Sequence, residues 1–190
     1  MSHSPRQPLS GMTVGIYLAP KGTEEIEFTE PKSAVSTAGA VVHVLSSESS
    51  AGKTVNNDLE DGDAYPVDRT FQEVTAEDYD ALIVPGGTVG SDRLRLQSAA
   101  IDLLSAHVRN GKPVGAICHG PWLLIEAGVV PGRRLTSFPS LESDIRNAGG
   151  KWFDEAVVRD DGIVTSRNPD DIEAFCDGII EEFSAVPAEG

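Results

Sequence analysis

The run PVGAICHGPW, residues 113–122, changes character in the middle. Residues 113–117 are short and apolar, which is how a strand buried on both faces reads. Cys118, His119 and Gly120 follow at once, and Pro121 opens a segment that reads as a helix to Ala127. A buried strand that runs directly into a helix is the repeating unit of α/β domains, so the search for further units moves outward from here.

Upstream, residues 80–84 (DALIV) form a second buried strand that ends at Pro85-Gly86-Gly87. Residues 97–108 follow as a helix, apolar at Ile101, Leu104 and Val108 and closed by Gly111. Near the start, residues 12–19 (MTVGIYLA) read as a first strand, and residues 41–46 (VVHVLS) as a second. Between them a helix begins at Thr23 as N-cap, with acids in its first turn, and ends at Ala38 before Gly39. Pro31 is expected to kink or restart it. Residues 47–74 are rich in Ser, Asp, Asn and Gly and read as a loop or short hairpin, with strand pieces at 53–55 and near 67. Downstream come a short strand at 135–137, a helix over 140–148, a hairpin joined by Asp160-Asp161-Gly162, and an amphipathic helix over 170–183.

Strands alternating with helices predict an α/β fold with a mostly parallel sheet covered on both faces. With no repeat or linker, the chain reads as one domain over residues 12–185, flanked by a flexible tail at 1–11 and a short one at 186–190. The first eleven residues are polar and lack the apolar centre of a signal peptide.

Composition narrows the partners. The 190 residues carry a formal net charge of −15. A polyanion is repelled by nucleic acid phosphates and by anionic membranes, so neither is expected as a partner. No stretch has the roughly 20 apolar residues that a membrane span needs. The five lysines, at positions 21, 32, 53, 112 and 151, leave an acidic surface. That surface fits either a salty cytoplasm or an ordinary soluble acidic protein. Two cysteines, Cys118 and Cys176, make no disulfide framework and point to a reducing, cytoplasmic setting. His3, His43, His107 and His119 have no metal-ligand spacing, and neither a phosphate-binding loop nor a complete dinucleotide fingerprint is present. No metal or cofactor is expected.

Chemistry in open α/β sheets collects at the carboxyl ends of strands. Cys118 occupies such an end. A residue between strand and helix, with glycine two positions on, fits a tight nucleophile elbow. Free N–H groups at a helix start favour thiolate over thiol. The alternative is a small buried hydrophobe. Cys176 shares a helical face with Ile172, Phe175, Ile179, Ile180 and Phe183 and reads as inert core. His119 is a candidate general base. Consecutive residues on a helix do not face each other, so a Cys118–His119 pair needs the bent elbow backbone, or His119 faces another partner. Gly86 and Gly87 could offer backbone N–H groups to an oxyanion.

Taken in order, these blocks resemble the DJ-one/PfpI superfamily, in its PfpI-like branch of intracellular proteases and general stress proteins. The resemblance rests on Ala116-Ile117-Cys118-His119-Gly120-Pro121-Trp122, on Glu24-Glu25-Ile26-Glu27, on residues 80–87, and on Thr136-Ser137-Phe138-Pro139, Asn147-Ala148-Gly149 and residues 165–171. It implies a flavodoxin-like three-layer sandwich of the class I glutamine amidotransferase-like kind, in a homodimer or larger assembly. It implies that a protonated Glu24 bonds the Cys118 sulfur, and that backbone at Gly87 and His119 forms an oxyanion pocket. It implies that an acid of a neighbouring subunit meets His119. The matching position is Asp92, where this sequence departs from the branch by having Asp in a loop one residue longer. The implied activity is a stress-response cysteine hydrolase, acting on peptides or on dicarbonyl adducts. A non-hydrolytic redox sensor or chaperone, in which Cys118 is reversibly oxidised, is the other reading. A glutamine amidotransferase needs a histidine well after the cysteine, and none follows His119.

Overall fold

Alternate residues of the central strands point into two separate cores, and this period of two builds three layers. The computed structural model describes residues 7–185. In chain order, β1 (Thr13–Tyr17) and β2 (Lys21–Glu24) precede α1 (Glu25–Thr37). Then come β3 (Val41–Ser46), β4 (Gly52–Asn56), β5 (Glu60–Tyr65), β6 (Arg69–Thr70) and β7 (Ala81–Val84). Next are α2 (Thr88–Leu94), α3 (Ser98–Arg109), β8 (Val114–Ile117) and α4 (Pro121–Glu126). The chain finishes with β9 (Arg134–Leu135), α5 (Glu142–Asn147), β10 (Lys151–Trp152), β11 (Val157–Asp160), β12 (Ile163–Ser166) and α6 (Ile172–Ser184).

The main sheet has seven strands in the order β11-β12-β8-β7-β1-β3-β6. All its pairs are parallel except β11 with β12. Val14, Ile16, Ala81, Ile83 and Val164 meet Phe28 and Val35 of α1 and Phe175, Ile179 and Phe183 of α6. Tyr17, Leu82, Val84, Val114 and Ala116 meet Leu103 and Leu104 of α3 and Leu123 and Leu124 of α4 on the other face. Each such fully buried aliphatic or aromatic side chain contributes roughly 1.5–3 kcal/mol relative to an exposed one. The α/β class with a mostly parallel, doubly covered sheet is as expected from the strand and helix pattern.

Strand order reverses between β1 and β7. The chain winds one way through β3 and the other way through β7 and β8. A crevice opens outside the carboxyl ends of strands at such a point. Here it receives the segments after β1, after β7 and after β8.

Three expectations change, and the hairpin expected as one alternative for residues 47–74 is the one present. Residues 7–11 are held, not loose: Leu9 is fully buried and its N–H donates to Ala38 O at 2.9 Å. Residues 1–6 and 186–190 lie outside the described residues. Thr23 is not a helix cap. It belongs to β2, pairs with Thr54 of β4, and Glu24 precedes the first helical turn. Helix α1 runs through Pro31, with Phe28 and Val35 buried on either side. Their burial offsets the ~3 kcal/mol that an interior proline costs. The segment 52–65 is a regular hairpin that joins β2 in a second, three-stranded sheet. No described helix is long and apolar enough to cross a membrane.

Candidate active site

The backbone at Cys118 is left-handed, with φ of 62°. L-residues seldom adopt this region outside tight turns. The turn is enforced from both sides: Cys118 N–H donates to Ser166 O at 3.0 Å, and Phe138 N–H donates to Cys118 O at 2.9 Å. Gly120 has to be glycine, because a Cβ there would sit 2.5 Å from Val84 O and 2.9 Å from Ile117 O. The kink turns Cys118 toward the core face that α1 covers, where it is 5% exposed.

The acid that α1 brings to the sulfur is Glu27. Its Oε2 accepts the Gly86 N–H at 2.9 Å, its Oε1 is buried without a partner among the described residues, and the carboxyl lies close enough to the Cys118 thiol for each to shift the other's ionisation. Burial pushes the Glu27 carboxyl up to about 8. The neighbouring Cys118 thiol and the Gly86 N–H oppose that rise, and the charges of Glu24 and Asp58 add to it. The carboxyl therefore keeps its proton near neutrality and can donate it to sulfur. Burial also pushes the Cys118 thiol up, followed by the Glu27 charge, while the N–H groups of Gly87 and His119 pull it down. The two acids share a proton as a coupled pair. Below about 8 the Glu27 charge is absent, but burial still holds the Cys118 thiol above its usual range against the two N–H groups, so the expectation of a resting thiolate at a helix start is not met and the proton has to be taken by a base such as His119.

Glu24, expected at the sulfur, is elsewhere. Its two oxygens accept the N–H groups of Asn57 at 2.8 Å and Asp58 at 3.0 Å. The reason is local: Glu24 is still extended backbone at the end of β2, so its side chain reaches the neighbouring β4–β5 turn. One helical turn later, Glu27 points at the sheet end. Between them, Glu25 accepts Tyr65 OH at 2.8 Å, Asp63 N–H at 2.9 Å and Asn56 Nδ2 at 3.0 Å. These bonds hold the Glu25 carboxyl below the usual carboxylate range.

His119 faces the sulfur after all: Nδ1 lies 3.2 Å from Cys118 Sγ. The bent elbow makes this possible for consecutive residues. Phe138 stacks on one side of the imidazole at 4.8 Å between centroids, and Trp122 packs edge-on at 5.1 Å. Nε2 is 3.3 Å from Thr88 Oγ1, which donates to Asp58 Oδ2 at 3.0 Å. Burial lowers the His119 pKa, and the Asp58 charge partly restores it. The ring is thus a neutral base at neutral pH.

Asp92 lies exposed on α2, one turn after Thr88, and makes no hydrogen bond to His119 within the described chain. Cys176 is buried in α6, and its thiol is pushed up to about 12, first by burial and then by Glu30 and Asp177. Four contributors escaped the reading of the sequence: the role of Glu27, and Asp58, Thr88 and Phe138. For Glu27 the signal was present, since the acidic run offers three carboxyls and only helical phase selects among them.

A model of the DJ-1/PfpI family matches residues 12–182. The protein/nucleic acid deglycase 2 of Escherichia coli is 44% identical over 154 residues, covering 80% of this chain and 87% of that protein. General stress protein 18 of Bacillus subtilis is 42% identical over 153 residues, with the same two shares of 80% and 87%. The crystal structure of Drosophila melanogaster DJ-1beta superposes with a TM-score of 0.81 at 31% identity, covering 92% of this chain and 91% of that one.

Proposed function

We propose, from the premise that this chain belongs to the DJ-1/PfpI family, that it is a cysteine-dependent hydrolase that removes dicarbonyl adducts from amines. The observation that carries this reading is the placement of Cys118 Sγ between the Glu27 carboxyl and His119 Nδ1, at an elbow whose amides converge on the sulfur. The name of the Escherichia coli relative supports deglycation as the reaction.

In this reading His119 Nδ1 takes the thiol proton and Sγ attacks the carbinol carbon of an amine–dicarbonyl adduct. The S–C bond forms, the C–N bond breaks, and His119 returns the proton to the departing nitrogen. Hydrogen then shifts between the two adjacent oxygen-bearing carbons, with the sulfur still attached. One carbon rises to the carboxyl level as the other falls to the alcohol level, so no external oxidant is consumed. The product is a thioester of a 2-hydroxy acid, which water hydrolyses to release the thiol. The Gly87 and His119 N–H groups would stabilise the oxyanion of that last step. A sulfur on a residue only 5% exposed favours a small protruding adduct over a main-chain carbonyl. A cytoplasmic homodimer, with Asp92 near the partner, completes the reading.

The test is to incubate the protein with methylglyoxal-modified N-acetyl-lysine and follow free amine and lactate together by NMR. Equal release of both, lost in Cys118→Ser, is expected. Release no faster than with Cys118→Ser would sink the hydrolase. If peroxide then oxidises Cys118 selectively, the redox reading replaces it. The carboxyl of Glu27 beside Sγ favours that alternative, because it would donate to a sulfinate oxygen.

A further inference from the structure

The turn that closes the β4–β5 hairpin carries a charge into the site. Asn57 and Asp58 are its central residues, with φ of 53° and 63°, and Leu59 N–H closes it on Asn56 O at 3.3 Å. Asn and Asp tolerate this left-handed geometry better than most residues. The Glu24 carboxylate fixes both amides of the turn. So held, Asp58 grips the start of α2 with both oxygens: Oδ1 accepts the Thr88 N–H at 2.7 Å, and Oδ2 accepts the Thr88 hydroxyl at 3.0 Å.

Hydrogen-bond polarity now runs in one direction. A carboxylate only accepts, and a hydroxyl has one hydrogen to give. Since that hydrogen points at Asp58 Oδ2, Thr88 Oγ1 offers His119 a lone pair. His119 Nε2, at 3.3 Å, must then carry the ring hydrogen. In a neutral imidazole this leaves Nδ1 bare, and Nδ1 is the atom 3.2 Å from Cys118 Sγ.

We infer that Asp58 is a positioning residue that fixes the base tautomer of His119 through the Thr88 hydroxyl. The acid orienting His119 is supplied by the same chain, from a hairpin, and the Cys118–His119 pair is ready for proton transfer without a neighbouring subunit. The catalytic consequence rests on Cys118 being the nucleophile; the tautomer itself does not.

Asp58→Asn is a directional probe. Its Oδ1 still accepts the Thr88 N–H, but its amide nitrogen now donates to the hydroxyl. The hydroxyl must then turn its hydrogen to Nε2, which moves the ring hydrogen to Nδ1. Asparagine also suits the left-handed backbone. Long-range proton–nitrogen NMR correlation of the His119 ring, recorded in a Cys118→Ser background at about pH 8 so that the ring stays neutral, reads the tautomer directly. The expected result is Nε2–H with Asp58 present and Nδ1–H with Asp58→Asn. In the background that retains Cys118, iodoacetamide alkylation of Cys118 should slow by about 10²-fold in Asp58→Asn and in Thr88→Val, as when a general base is lost. Thr88→Ser should restore both tautomer and rate, which a purely structural lesion would not permit. An Nδ1–H ring with Asp58 intact overturns the inference. So does a tautomer and alkylation rate unchanged by Asp58→Asn and Thr88→Val. Neither measurement uses a substrate, so the relay stands or falls separately from deglycation.

Discussion

Glu24 and Glu27, three positions apart, have carboxyls committed to different structures: Glu24 binds the amides of Asn57 and Asp58 at 2.8 and 3.0 Å, and Glu27 binds the Gly86 amide at 2.9 Å beside Cys118. The strand-to-helix transition between the two residues separates them. One acid builds the turn and the other tunes the sulfur, so their variants should fail differently.

Glu24→Gln keeps one oxygen where two N–H groups need acceptors. One amide of the turn loses a charge-assisted bond, a loss of about 1.5–3 kcal/mol locally. Hydrogen exchange should accelerate at the Asn57 or Asp58 amide, while the Gly86 amide keeps its protection. Unchanged exchange at both turn amides would show that Glu24 does not hold the turn.

Glu27 makes folding stability fall as pH rises. Its carboxyl keeps a proton up to about 8 in the fold but only to about 4.5 when unfolded. Between those values unfolding releases a proton, so each step up in pH favours the unfolded chain. Glu27→Gln removes this contribution. Urea midpoints across the window should decline less steeply with pH in Glu27→Gln than in the parent. Parallel profiles would count against a protonated Glu27.

His107 acts in the opposite sense. It is fully buried in α3, with Nε2 3.2 Å from Pro113 O and no hydrogen-bond partner for Nδ1 among the described residues. Burial drops its pKa from 6.5 to about 4. Below 6.5 the unfolded chain takes up a proton that the fold refuses, so stability is lost as pH falls toward 4. His107→Gln, which keeps a donor for Pro113 O, should flatten this acid limb. The measurement is the urea midpoint from about pH 4 to 7, and an unaltered limb would clear His107 of the effect.

Gly86 has no space for a side chain. A Cβ would press on the Glu27 Oε2 atom, lie 2.7 Å from Cys118 Cβ and 2.9 Å from Ile117 O. Gly86→Ala should cost about 1–3 kcal/mol in urea unfolding, with an altered Cys118 alkylation rate. A variant matching the parent in both would mean the site can yield there.

Much of this architecture is legible in the sequence because buried strands are short apolar runs. Residues 80–84 and 113–117 announce two of them, and the Cys118–Gly120 spacing marks the elbow. The choice between Glu24 and Glu27 was not legible. It depends on where strand stops and helix starts, and Thr23, a good capping residue, points to the wrong place. Helix α2 has seven residues with glycine among them and gives little periodic signal. Asp58 and Thr88 are 30 positions apart, and Thr88 and His119 are 31 apart, so only the folded chain joins them. Residues 47–74, rich in Ser, Asp, Asn and Gly, read as a loop or short hairpin, but nothing local tells which residue its turn faces.

The left-handed backbone of Cys118 bears on how this protein can be engineered. A side chain there costs on the order of 1–2 kcal/mol that glycine would avoid. A laboratory screen that rewards heat resistance alone therefore meets a backbone term that favours glycine at 118, set against the packing of a side chain 5% exposed, and nothing in such a screen protects the thiol itself. Directed evolution of this scaffold has to select for reactivity and thermostability in the same round, because at this position backbone strain and chemistry pull apart.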